Sequence, residues 1–322
     1  MQRFKIAASA LIVAAALAPA GSAQSFDASS LDIRNFIGRI EIREANGPVL
    51  VNVEGGASDI DAPSISESGG VVRVDGGHTM RNMNCNTRNG NITVRQGWRG
   101  ERRPLDDYPT LVISAPSSLA LHIERTLFVG EAGDLGSLDL HFDHCGSFTA
   151  GDVAGDASVN IDGSGDVRIG MVGGMADFGI DGSGDLYSQG ISGSAELGID
   201  GSGDITTGDI GGSVEIGIDG SGDIETGRVN GAEINIDGSG NTVLAAVDGS
   251  VRIGIDGSGD VVIGAGRAQP FHVEINGSGD VRFNGEAVDL HVEIDGSGDV
   301  RVQQSSGSYY WREHGRVRQH NN

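Results

Sequence analysis

The chain has 322 residues, 54 of them glycine and only 7 proline, with 5% aromatics and a formal net charge of −23. Interior glycine at this density is incompatible with a helical protein, since each costs about 1 kcal/mol relative to alanine. The missing three-residue glycine period excludes collagen, and the regularly placed Val, Ile and Leu argue against disorder. The acidic balance repels phosphate, which argues against nucleic-acid binding and against adsorption to anionic lipid.

Residues 1–23 read as a secretory leader: Arg3 and Lys5, an apolar stretch Ile6–Leu17, and the small-residue site Gly21-Ser22-Ala23. The stretch is too short to span a bilayer comfortably. Export to the periplasm, the cell surface or the extracellular space is expected, with no membrane insertion. From residue 31, Ile40-Glu41-Ile42, Val49–Val53 and Val72-Arg73-Val74-Asp75 look like degenerate strands of leading coils, with Glu54 and Asp75 in the place of a turn acid. Residues 76–116 interrupt this pattern. The insertion carries Arg81, Arg88, Arg95, Arg99, Arg102 and Arg103 with Trp98, and reads as a loop or cap lying over the acidic coils. An exported chain with two cysteines predicts a Cys85–Cys145 disulfide.

Residues 117–303 are dominated by a repeat. IDGSGDV at Ile161 recurs in close copies at Ile180, Ile199, Ile218, Ile236, Ile255, Ile275 and Ile294, at steps near 19 residues. A fixed period of this length signals a stacked solenoid. Within each unit apolar residues alternate, as in Val159-x-Ile161, Phe178-x-Ile180, Leu197-x-Ile199 and Ile216-x-Ile218, which is the pattern of a half-buried strand. The predicted fold is all-β: a single-stranded parallel β-helix (solenoid) with about 19 residues per coil, spanning 31–303. The period extends back to Leu140-His141-Phe142-Asp143 and Leu121-His122-Ile123-Glu124, which places His122 and His141 in one column. Residues 304–322 read as a tail in which Tyr309-Tyr310-Trp311 covers the last open edge.

The repeated [VI]-x-I-[DN]-G-S-G-[DN]-[VIL] units resemble the putative auto-transporter adhesin, head GIN domain family, and related adhesin-like bacterial envelope proteins. The resemblance covers roughly 31 to 302. It implies an exported β-helix with an adhesive or cell-surface role and brings no catalytic residues with it.

Carboxylates recur at equal stations, so no coil stands out as a reaction centre. The expected function is a non-enzymatic envelope structural or adhesin-like binding module. Its partners would be an envelope polymer, a glycan, a protein surface or another copy of the chain. The alternative is a carbohydrate-active β-helix enzyme, a polysaccharide lyase or hydrolase, for which Asp106 and Asp107 in the insertion are the candidates.

Two columns of acids run along the repeat: Asp162, Asp181, Asp200 and Asp219 with their successors, and Asp166, Asp185, Asp204 and Asp223 with theirs. Like charges one coil apart repel. Hydrogen bonds from each aspartate to its own Gly-rich corner would relieve this, as would calcium between corners. The first is the preferred reading, so no cofactor is required and calcium is an optional stabiliser. The two glycines of each GSG read as corner residues needing positive φ, with the serine turned into the corner. His122, His141 and His144, close to Asp143 and Cys145, form a candidate transition-metal constellation, against a plainer reading as surface histidines.

Overall fold

The computed structural model describes residues 23–88 and 91–318; all but the last residue of the expected leader lies outside them. The chain winds as a parallel β-solenoid of about ten turns with close to 19 residues per coil. Among the described residues the only helical element is a single 3-10 turn, Leu105–Asp107.

Each regular coil lays down two main strands. On the first face, Ala157–Ile161 pairs in parallel with Ala176–Ile180, which pairs with Ala195–Ile199, then Val214–Ile218 and Ala232–Ile236. On the second face, Ser164–Val172 stacks on Leu186–Ile191, then Ile205–Thr207 and Ile224–Val229. Single bridges such as Val153↔Val172 and Ile191↔Ile210 close the third side. The alternation explains the stacking: Val159, Phe178, Leu197, Ile216, Ile234, Ile253, Val273 and Val292 are each no more than 1% exposed, so every coil completes the core of its neighbour.

The DGSGD segment turns the chain from the first face to the second. Asp200 and Gly201 both donate their N–H to the Ile180 carbonyl (2.9 and 3.1 Å), and Ser202 N–H reaches Gly182 O at 2.8 Å. This corrects the expected role of the glycines. None of the repeat's GSG glycines has positive φ. A Cβ on Gly201 or Gly203 would instead collide with the carbonyl oxygen of Gly182 or Gly184 one coil below. The requirement is close stacking of backbone on backbone. Ser202 is exposed; its backbone makes the corner bond and its side chain points outward.

The leading end is wound differently from a simple succession of coils. Strand Ser30–Arg34 lies between Val71–Asp75 and Ala120–Glu124, parallel to both. Val49–Gly55 is not a coil strand. It runs antiparallel to Pro109–Ala115 and to Gln24–Phe26, so Glu54 faces Thr110 and holds no turn position. Pro109–Ala115 itself joins the solenoid wall, parallel to Ile37–Glu44, although it falls within the expected insertion.

The rest of the insertion forms a small antiparallel sheet of Met83–Arg88, Asn91–Gln96 and Arg103–Pro104. Ile92, Val94 and Leu105 pack there against Ile37, Leu127 and Cys145 of the wall. Cys85 and Cys145 are joined as a disulfide with their Cα atoms 6.0 Å apart. The insertion therefore docks on apolar wall rather than lying over the acidic coils: Arg103 pairs with Asp59, and Arg81, Arg88, Arg99 and Arg102 are exposed.

The far end also extends further than the repeat suggests. Strand Val300–Glu313 stays in parallel register on Val281–Ile294 through Tyr309↔Leu290 and Trp311↔Val292, so 304–313 adds to the last coil instead of leaving it as a tail. Arg316–Arg318 then folds back antiparallel. At the other end Ser64–Ser68 lies antiparallel on Val71–Asp75.

Candidate functional site

One outward-facing residue from each first-face strand, paired coil to coil, forms a column along the solenoid. Its residues are His122, Asp139, Ser158, Asp177, Glu196, Glu215, Glu233, Arg252, His272, His291 and Tyr310 in succession. Its middle is a run of four exposed carboxylates, Asp177, Glu196, Glu215 and Glu233. Its far end is a stack of flat rings: His272 on His291 and His291 on Tyr310, each with centroids 4.4 Å apart. Burial, together with the charges of His291 and Arg252, holds the His272 imidazole below its ordinary pKa.

This column is one wall of a groove of about 980 Å³ that follows the solenoid axis across eight coils. At the strand spacing of about 4.8 Å per coil, eight stations extend roughly 34 Å. Small buried side chains, Ala157, Ala176, Ala195 and Ala232, make the floor, and Met175, Ser194, Ser213 and Ser250 stand on the opposite rim. Sequence reasoning passed over this acidic row. Its signal was present as Ala-Glu-Leu, Val-Glu-Ile and Ala-Glu-Ile at the repeat step, but the more uniform DGSGD corners drew attention away from it.

On the other side of the row lies a column containing Gly179, Gly198 and Gly217. A Cβ at Gly198 or Gly217 would meet nothing within 4 Å, and neither residue has positive φ. Gly198 and Gly217 therefore satisfy no steric need of the chain itself. Beyond them stand the turn residues Asp181, Asp200 and Asp219, exposed to solvent.

The second acidic column is tied down between coils. Asp166 Oδ1 accepts the backbone N–H of Asp185 (3.2 Å), Asp185 that of Asp204 (3.1 Å), and Asp204 that of Asp223 (2.8 Å). The ladder continues through Asn241, whose Oδ1 accepts Asp260 N–H at 2.9 Å. Each carboxylate thus serves the next coil, not its own corner. Asp204→Ala is expected to cost about 1 kcal/mol by stripping the acceptor from Asp223 N–H. Asp204→Asn is expected to fall close to wild type, since Asn241 already fills this role. Chemical denaturation of the two variants checks both.

The histidine constellation is only partly assembled. The strand pair Ala120–Glu124 and Ser137–Phe142 is offset by 17 residues, so His122 stands beside Asp139 and does not share a column with His141. His122 Nδ1 lies 2.8 Å from Asp139 Oδ2. His141 Nε2 lies 3.3 Å from Asp143 Oδ1 and 3.1 Å from Asp162 Oδ2. Burial pushes the Asp143 carboxyl up, while the neighbouring His141 and His144 pull it down, and the net shift is upward. His144 Nδ1 is buried without a hydrogen-bond partner. Asp106, a candidate for the enzymatic alternative, is exposed and bonded to Arg39 at 2.7 Å, and the Asp107 carbonyl accepts the Ala57 N–H.

The comparisons bear on the repeat itself. Residues 243–306 match the family described as putative auto-transporter adhesin, head GIN domain. That segment carries three of the DGSGD-type corners, including the Asn276 variant. The resemblance read from the repeated units thus rests on a direct match to the same family. Among solved structures, a putative adhesin from Bacteroides fragilis is 13% identical, with 87% of this chain and 95% of that one covered at a TM-score of 0.39. A putative lipid binding protein from Parabacteroides distasonis is 14% identical, covering 90% of this chain and 98% of that one at 0.34. No curated protein matches the chain. Among the described residues no helix is long and apolar enough to cross a membrane.

Proposed function

We propose that this protein is an exported, non-enzymatic binding module of the cell envelope that holds an extended glycan along the groove between residues 137 and 272. The observation carrying this reading is the coil-by-coil recurrence of the groove lining. Acids stand on the wall at five of the eight stations (Asp139, Asp177, Glu196, Glu215, Glu233) and serines on the rim at four (Ser137, Ser194, Ser213, Ser250), a recurrence that suits a ligand that itself repeats. Carboxylates at Asp177, Glu196, Glu215 and Glu233 accept hydrogen bonds from sugar hydroxyls or amines and repel anionic chains. The Ser194, Ser213 and Ser250 hydroxyls can donate or accept on the opposite rim. Glycines at 198 and 217 leave the adjoining strip of wall flat, as where another chain approaches closely. The adhesin family match over 243–306 agrees with a binding role. The leader-like residues 1–23 support export.

Retention on immobilised neutral, cationic and anionic polysaccharides tests the proposal. Neutral or amine-bearing polymers should be retained and anionic ones should not. The triple variant Glu196→Gln, Glu215→Gln, Glu233→Gln should weaken retention at least about tenfold, the equivalent of 1.4 kcal/mol. Unchanged retention by that variant would place binding elsewhere. Release of product that depends on Asp106 or Asp107 would favour the lyase or hydrolase alternative instead.

A further inference from the structure

At the start of the regular repeat one station differs from all those after it. His141 occupies the outward position that is Asn160, Gly179, Gly198, Gly217, Asn235 and Gly254 in the following coils. Two residues on, Asp143 is the first rung of the turn-acid column, and Asp162 is the second. Only here does an imidazole stand between two rungs. Its Nε2 is within 3.3 Å of a carboxylate oxygen from each, and the three donor atoms all lie within 4.8 Å of one another.

The chemistry of these donors is that of a borderline divalent metal. Zinc binds imidazole nitrogen and carboxylate oxygen at about 2.0–2.2 Å, so two ligands of a tetrahedral site stand about 3.4 Å apart. The separations of 3.1 and 3.3 Å from His141 Nε2 match that value. A second observation is independent of the cluster's composition. Asp143 Oδ2 is shielded from solvent and receives no hydrogen bond. A buried carboxylate oxygen without a donor calls for a missing partner, and a cation is one. The neighbouring Cys145 is committed to its disulfide, leaving nitrogen and oxygen as the donor set.

We propose that His141, Asp143 and Asp162 form a binding site for one divalent transition-metal ion, zinc being the best-suited probe, with water in the fourth position. The ion would bridge two successive coils beside the Cys85–Cys145 bridge, where the irregular leading coils give way to the regular ones. The site is separate from the groove and does not depend on its function.

Titration of zinc chloride into the oxidised full chain by calorimetry, without reductant, tests the site. The expected result is one high-affinity zinc per chain, at least tenfold weakened in His141→Asn and in Asp162→Asn. Asparagine is native to the same station in two later coils, so His141→Asn should keep the fold, and circular dichroism checks this. Asp181→Asn removes the next rung, which has glycine instead of histidine beside it, and should bind zinc like wild type. Three results would overturn the proposal. These are no zinc binding by the wild type, equal binding by wild type and His141→Asn, or equal loss in Asp181→Asn, which would mean diffuse attraction to the acid column.

Discussion

Gly203→Ala is expected to disrupt the solenoid locally and to cost at least about 3 kcal/mol. The new Cβ would sit inside the contact distance of the Gly184 carbonyl oxygen, which belongs to backbone and cannot turn away. Overpacking usually costs about 1–3 kcal/mol, and a rigid obstacle puts this site at or above the upper end. Relief would require the two coils to part, breaking the Ser202 N–H bond to Gly182 O and its neighbours in the corner. Gly198→Ala is the matched control, five residues earlier in the same coil. Its Cβ meets open space, so the substitution should be neutral or stabilise by about 0.5–1 kcal/mol through the strand's reduced unfolded-state freedom. Denaturant melts of the two variants measure the contrast directly. A small effect at 203 would mean that the corners do not stack as closely as described.

Ile216→Asp should be more damaging still. Ile216 is fully buried and pairs with Leu197 on one side and Ile234 on the other, at the middle of the interior column. A carboxylate there has no cation and no donor within the apolar core. Such a group is among the few single changes that exceed about 4 kcal/mol. Because each coil is stabilised by its two neighbours, the damage should split the solenoid at that point. Limited proteolysis should then cut near 216 while the coils at either end resist longer. Uniform resistance along the chain would contradict the interior register.

The interior register was legible because two independent periods coincide. A step of 19 names the coil, and a step of two names the buried face, as at Phe178-x-Ile180 above Leu197-x-Ile199. Where only the second period survives, reading fails in a specific way. Leu121-His122-Ile123 and Leu140-His141-Phe142 look equivalent, yet Ile123 pairs with Leu140. A slip of two residues keeps every side chain on its own face, so hydrophobic alternation cannot detect it. That slip separates the two histidines and leaves His141 to the aspartates. The leading strands failed for another reason. Val49–Val53 alternates as a coil strand does, but alternation carries no information on whether its partner runs parallel or antiparallel. The corner glycines posed a third ambiguity. Positive φ and close approach of another backbone both demand the absence of Cβ, and only coordinates distinguish them. The candidate groove was hidden because its wall acids read individually as solvated strand positions. It becomes a surface only when eight coils are stacked.

Within the regular repeat the inter-coil bonds join a residue to one about 19 places away, and the bond types recur: aspartate to N–H, Asp and Gly N–H to the Ile carbonyl, Ser N–H to Gly carbonyl. One coil can therefore be lost or duplicated with the corner bonds on either side re-formed, because those rungs are interchangeable. Excising residues 200–218 would bring Ile199 directly beneath Ile236 and shorten the rod by about 4.8 Å. Length in this architecture is thus set separately from fold. The number of ligand units that can be gripped at once becomes a simple count of copies, adjustable in steps of one.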